Sequence, residues 1–278
     1  MTGLCALLCF FSVTAGLAAA DDTLRVGMIP DAGTTQVSVE KKSPLQAYLH
    51  KFLGQPVVLI IPTNYNATVE ALGNDSLDFA YLGGLTYIKA RQLYGVVPLV
   101  QRDSDQHFHS LFITQTHSNI RSLKDLKEKR FAFGDINSTS GHLMPYMALR
   151  QAGIDPDRDL IYHYTGNHAA TAKAVESGAV DAGALDETVF HQMLAERQLN
   201  PTSVRVFYTT TSFVDYVWVS RKSMGQAAQV RFARAFLTLS GPRDAEVLDI
   251  LRAAHFVRAS DSEYDSLRGA ARDAGLFK

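Results

Sequence analysis

Short apolar runs of strand length alternate with longer stretches of helical period along almost the whole chain, and that alternation leaves few folds open. Residues 24–29 read as a first strand. Ser43-Pro44 then opens a helix with Leu45, Tyr48, Leu49, Phe52 and Leu53 on one face and Gly54 just past its end. Residues 56–61 form a continuous apolar run, the pattern of a strand buried on both faces. A helix over 67–72, a strand over 78–82, a helix over 85–93 and a strand over 96–100 follow. The alternation resumes with strands over 110–114, 130–133, 160–164, 180–185 and 204–208, interleaved with helices over 143–151, 169–177 and 188–197. A strand over 216–220, a long helix over 227–239 and two further helices complete the chain. This order predicts an α/β protein of open, mainly parallel sheets flanked by helices, with ligands at the C-terminal ends of strands. Residues 21–113 together with 214–278 are expected to form one lobe and 114–213 the other, so the chain crosses between lobes twice, through a hinge.

The segment with the most pointed chemistry is Phe133-Gly-Asp-Ile-Asn-Ser-Thr-Ser-Gly-His142, a strand end that runs into three consecutive hydroxyl residues and a glycine before an amphipathic helix. Backbone N–H groups at a helix start lack partners within the helix, and the helix dipole places about half a positive charge there. Ser138, Thr139, Ser140 and Gly141 therefore make a candidate cradle for an oxyanion. The segment contains no lysine or arginine, so the anion would be held by neutral dipoles. A helix cap needs a single hydroxyl; three in a row exceed that requirement. Pro145 falls about one turn in, where a missing N–H is tolerable.

Residues 1–20 carry no charged side chain, run apolar from Leu4 to Leu17 and end in three alanines before Asp21-Asp22. This reads as a secretory signal cut after Ala20, which sends the chain to the periplasm. Both cysteines, Cys5 and Cys9, lie inside that segment, so the remaining chain has neither a disulfide scaffold nor thiol chemistry. With 27 basic against 28 acidic residues, no global field points to nucleic acid or to an anionic membrane. Any anion selectivity has to be local. No cofactor or nucleotide fingerprint is present, since Gly83-Gly84 and Gly134 complete no phosphate-loop pattern.

Taken together, the export signal, the α/β order and the hydroxyl loop resemble the periplasmic phosphonate- and phosphite-binding proteins of ABC transporters, a branch of the two-lobed type II substrate-binding proteins. The likeness rests on Leu123-Lys-Asp-Leu126 leading to Phe131-Ala-Phe-Gly-Asp135, on Ser138-Thr-Ser-Gly141, on Gly166-Asn-His168 before a helix, on Val180-Asp-Ala-Gly-Ala-Leu185, and on Phe256-Val-Arg-Ala-Ser260 with Tyr264. The resemblance implies two lobes closing around one tetrahedral oxyanion. It also implies ligand contacts from the Ser-Thr-Ser loop, from a histidine after the next strand, which is His168, and from a first-lobe tyrosine, which is Tyr65. Tyr65 is also readable as a surface loop residue and His168 as a solvated one.

A second tier of candidates is Tyr81, at a strand end facing either cleft or core; His109, which shares one strand face with His107 at a spacing some zinc sites use; His142, crowning the anion site or pointing to solvent; Asp186; and Asp215. A metal there is disfavoured, because no third ligand is near in sequence. The family pattern commonly has an amide-type residue where Asp186 stands. A carboxylate beside an oxyanion needs either a proton to accept or a ligand cation to face. The departure is compatible with an aminoalkylphosphonate, with a protonated small oxyanion, or with Asp186 acting as a helix cap outside the cleft.

The expected function is thus a monomeric binding protein, not an enzyme, that captures a phosphonate, phosphite or related oxyanion and hands it to a permease in the inner membrane. A sensor presenting its ligand to the periplasmic domain of a histidine kinase would look the same in sequence. A secreted hydrolase using Ser138 or Ser140 with His168 and Asp186 is the third class, disfavoured because no Gly-x-Ser-x-Gly elbow surrounds either serine.

Overall fold

The structure, a computed structural model, describes residues 22–31 and 40–276. The proposed export signal lies outside the described residues. Two sheets organise the rest. The first runs in the order β11-β4-β10-β3-β1-β2 and is built from β1 (Leu24–Met28), β2 (Val57–Ile60), β3 (Phe79–Leu82), β4 (Val97–Arg102), β10 (Val217–Ser220) and β11 (Phe256–Arg258). The second runs β7-β6-β8-β5-β9, from β5 (Ser110–Gln115), β6 (Arg130–Phe133), β7 (Ile161–Tyr164), β8 (Ala182–Asp186) and β9 (Val204–Thr209).

Both sheets are mixed. β1 pairs in parallel with β2 and β3, and β6 with β7 and β8, as helical crossovers require. The antiparallel pairings belong to β5, beside β8 and β9, to β10, beside β3 and β4, and to β11, beside β4. β5 and β10 are the strands that enter each sheet directly after a crossing, so they arrive in the reverse sense. The crossings themselves are joined by an antiparallel bridge between Phe108 and Phe213, whose backbones exchange two hydrogen bonds of 2.9 Å. β5 pairs wholly within the second sheet, so a division at residue 113 would cut a strand; the paired crossing at 108 and 213 leaves both sheets whole.

Helices cover the sheets where the periodicity places them. α1 (Ser43–Leu53) carries Pro44 in its first turn and ends at Gly54 in the left-handed conformation, φ 70°. Ser43 is the first helical residue and does not cap. α2 (Tyr65–Gly73), α3 (Gly84–Tyr94), α4 (Met144–Gln151), the single-turn α5 (Pro156–Asp159), α6 (His168–Glu176), α7 (Glu187–Ala195), α8 (Gln226–Leu237), α9 (Ala245–Leu251) and α10 (Asp265–Asp273) follow. One core joins β1, β3, β4 and β10 to α1, α3 and α8, with Phe79 stacked on Phe232 at 3.8 Å and Trp218 fully buried beside Phe236. Two smaller cores lie in the second lobe, one around Phe112, Phe131, Phe133 and Leu149, the other around Ile113, Val175, Val189 and Phe190.

Candidate functional site

Five helix starts face one another where the lobes meet, and their caps follow from local sequence. Asn64 accepts the Ala67 N–H at 2.8 Å to start α2, and Asn167 accepts the Ala170 N–H at 2.8 Å to start α6. Each asparagine is followed by a candidate ligand residue, Tyr65 or His168, as the first residue of its helix. Gly83 starts α3 and Asp186 starts α7. The fifth start is the hydroxyl loop: Ser138 caps it by accepting the Gly141 N–H at 3.0 Å, and residues 139–143 wind as a π-turn before α4, with the Leu143 N–H on the Ser138 carbonyl at 3.1 Å.

Tight packing fixes this loop. The Gly134 N–H donates to the Gly141 carbonyl at 2.8 Å. A Cβ on Gly141 would sit 2.9 Å from His168 Cε1 and 2.9 Å from Ser138 Oγ, so only glycine fits between the cap and the imidazole. Ser138, Thr139 and Ser140 are all nearly inaccessible to solvent, although they stand at a helix start rather than in an apolar core. Thr139 reaches across to the other lobe: its Oγ1 accepts the Leu85 N–H at 2.9 Å, while the preceding Gly84 N–H donates to Asp215 Oδ1 at 2.9 Å.

Several buried polar atoms here find no partner among the described residues: Tyr65 OH, Tyr81 OH, Ser140 Oγ and Asp215 Oδ2. Unsatisfied polar groups are costly in a folded interior, and several grouped at one set of helix starts mark a place built to be completed by something polar. Tyr65 is buried at the head of α2, not on a surface loop. Tyr81 lies stacked on Tyr216 at 5.0 Å and against Trp218 at 5.0 Å, so its ring packs in the core while its hydroxyl remains unsatisfied.

Electrostatics divide the two carboxylates. Burial pushes Asp215 up to about 7, against the Gly84 N–H and Thr139, which favour its ionised form, and with Asp186 adding repulsion. Asp186 is also buried, but the His168 ring, the Arg252 and Arg102 guanidinia and the Tyr216 hydroxyl outweigh burial and hold it below the usual carboxylate range. It caps α7, accepting the Val189 N–H at 2.8 Å and the Thr188 hydroxyl at 2.7 Å through Oδ1, and the Tyr216 hydroxyl at 2.7 Å through Oδ2. Of its alternatives in sequence, the cap is what the fold realises, although the residue is fully buried. Burial, opposed by the Asp186 and Asp31 charges, lowers the His168 pKa. Its Nδ1 accepts the Asp186 N–H at 3.2 Å, so the proton resides on Nε2, which lies 3.4 Å from the Tyr216 hydroxyl.

Two second-tier histidines stand apart. His142 neither crowns the loop nor points to solvent: Nδ1 bonds the Ile136 carbonyl at 2.7 Å and Nε2 the Tyr164 hydroxyl at 3.0 Å, within an aromatic cluster of the second lobe. Burial lowers its pKa. His109 sits beside the crossing, its Nδ1 3.4 Å from Glu187. Tyr216 was not among the candidates, yet it closes the ring between Tyr81, His168 and Asp186; its position next to Asp215 was the available signal.

The fold is that of a two-lobed binding protein, with the hydroxyl loop set between the lobes. The profile described as "ABC transporter, phosphonate, periplasmic substrate-binding protein" matches residues 26–264, and the chain belongs to that family. It is 33% identical over 270 residues to a probable ABC transporter phosphite-binding protein, PhnD1, of Prochlorococcus marinus, covering 90% of this chain and 89% of that one. The solved structure of PhnD1 from that organism, in complex with methylphosphonate, superposes with a TM-score of 0.84 at 31% identity, covering 93% of this chain and all of the other. The phosphonates-binding periplasmic protein of Escherichia coli is 25% identical over 245 residues, covering 85% of this chain and 71% of its own.

Proposed function

We propose that this chain captures one small phosphorus oxyanion, of the phosphite or methylphosphonate class, between its lobes and delivers it to an ABC permease. The observation that carries the reading is the grouping of unpartnered, buried Tyr65 OH, Ser140 Oγ and Asp215 Oδ2 around the start of the hydroxyl loop. Tyr65, Ser138, Thr139 and Ser140 supply donors, joined by first-turn N–H groups of the π-turn and by the His168 Nε2–H, which a ligand oxygen would draw from its long 3.4 Å contact with Tyr216. Asp215, protonated below about pH 7, there donates to a ligand oxygen rather than repelling it.

The state of the carboxylates favours a small oxyanion over an aminoalkylphosphonate. Both oxygens of Asp186 are engaged by its cap and by Tyr216, and Asp215 is neutral below about pH 7, so below that pH neither of these two carboxylates offers a free charge to an ammonium. Turnover is disfavoured too, because the His168 ring bonds the Asp186 N–H and approaches Tyr216 rather than a serine hydroxyl. The reading includes an export signal cleaved after Ala20, a monomer in the periplasm, no cofactor, and lobes divided at the crossing of residues 108 and 213.

Calorimetric titration with phosphite, methylphosphonate, 2-aminoethylphosphonate and phosphate tests it. Saturable 1:1 binding of phosphite or methylphosphonate, tighter than of 2-aminoethylphosphonate, is expected; silence from all four overturns the proposal.

A further inference from the structure

Away from the cradle, a continuous chain of side-chain contacts leaves the first lobe, crosses α7 of the second, and returns. Arg252 begins it. This residue ends α9 in the left-handed conformation, φ 52°, an uncommon state for a residue with a side chain. Its guanidinium pairs with Asp31, which follows β1 in the same lobe, and its Nη1 donates to Gln192 Oε1 on α7 at 3.3 Å. Gln192 Nε2 donates to Glu196 Oε1 at 2.8 Å, one turn further along. Glu196 Oε2 then accepts from Lys41, at the approach to α1 in the first lobe, at 2.9 Å.

The two ends differ in exposure. The Asp31 and Arg252 side chains are 7% and 15% exposed, whereas Lys41 and Glu196 are 56% and 33% exposed. Burial alone would raise the Asp31 pKa, but Arg252 and Lys42 bring it down to about 2, so the inner pair stays charged at any physiological pH. The network also touches the cradle at two points. The Asp31 carbonyl accepts the His168 N–H across the lobes at 3.1 Å, and α7 is the helix that Asp186 caps.

Resting on the oxyanion reading above, we propose that Arg252 is a positioning residue whose clasp through Gln192, Glu196 and Lys41 sets how long the closed form holds its ligand. A ligand enters while the lobes are apart, when Arg252 and Gln192 do not meet. Loss of the clasp should therefore act on release and leave capture almost unchanged. Interface contacts that form only after encounter generally behave this way.

Gln192→Ala is the decisive variant, because it leaves the buried Asp31–Arg252 pair intact. Stopped-flow binding of phosphite is expected to show release faster by about 3- to 10-fold and association within about 2-fold of the parent, as for the loss of one long, part-buried hydrogen bond of ordinary strength. Unfolding of the ligand-free chain should not move. Arg252→Lys, which keeps the charge but cannot fork between two partners, should fall between parent and Gln192→Ala in release rate. Release unchanged in both variants, or a loss confined to association, overturns the proposal. A parent chain that binds neither phosphite nor methylphosphonate defeats the ligand reading instead. The release comparison then moves to whichever of phosphate and 2-aminoethylphosphonate the parent binds: faster release from Gln192→Ala supports the clasp, and release unchanged in both variants overturns it.

Discussion

Asp215 offers the sharpest test of how the cradle manages charge. The unfolded chain gives up this proton near pH 3.8, while the folded chain keeps it to about pH 7. Between those values the folded state binds more protons than the unfolded one, so stability must fall as pH rises from about 4 to 7 and level off above. Three pKa units correspond to about 4 kcal/mol, an upper figure for a fully buried group. Asp215→Asn keeps an oxygen for the Gly84 N–H but cannot ionise, so it should lack this loss. Urea unfolding of both ligand-free proteins from pH 4 to 9 measures the effect, and subtracting one profile from the other removes every other titrating group. The difference should be small at pH 4, grow in favour of the variant to a few kcal/mol by pH 7 to 8, and stay level beyond. Parallel profiles would mean that Asp215 is ionised and compensated, and the picture of a neutral donor would be wrong.

Further outcomes follow from the same geometry. Gly141→Ala should weaken phosphite binding about 5- to 150-fold, because the new methyl group must displace either His168 or the Ser138 cap, a cost of about 1–3 kcal/mol for overpacking; titration calorimetry reads it. Tyr65→Phe removes an unpartnered hydroxyl, so the ligand-free chain should be as stable as the parent or slightly more so, while affinity falls by about 1.5–3 kcal/mol. His142→Gln, by contrast, should leave affinity within about 2-fold, since that ring is committed to Ile136 and Tyr164; a large loss would place it at the ligand after all.

The strands and helices were legible because each carries its own local period. β6 and β7, for example, lie within a residue of their expected limits, and α1 shows both its proline and its closing glycine. The cap at Ser138 was legible for the same reason, since the hydroxyl residues and the helix start are contiguous. Asp186 and His142 were harder, because whether a side chain caps, packs or faces a ligand depends on neighbours such as Tyr216 and Tyr164 that are distant in sequence. The Asp31–Arg252 pair spans 221 positions and leaves no periodic trace. Reversal of β5 and β10 within their sheets was likewise invisible, since a buried strand reads the same in either direction.

Side-by-side titration of phosphite into the parent chain and into a variant with Ser138, Thr139 and Ser140 all changed to alanine bears most directly on the oxyanion cradle. The parent should bind one ligand per chain with a dissociation constant of about micromolar or tighter, and the triple variant should show no saturable heat while remaining folded. Equal binding by the two proteins would place the anion somewhere other than this loop.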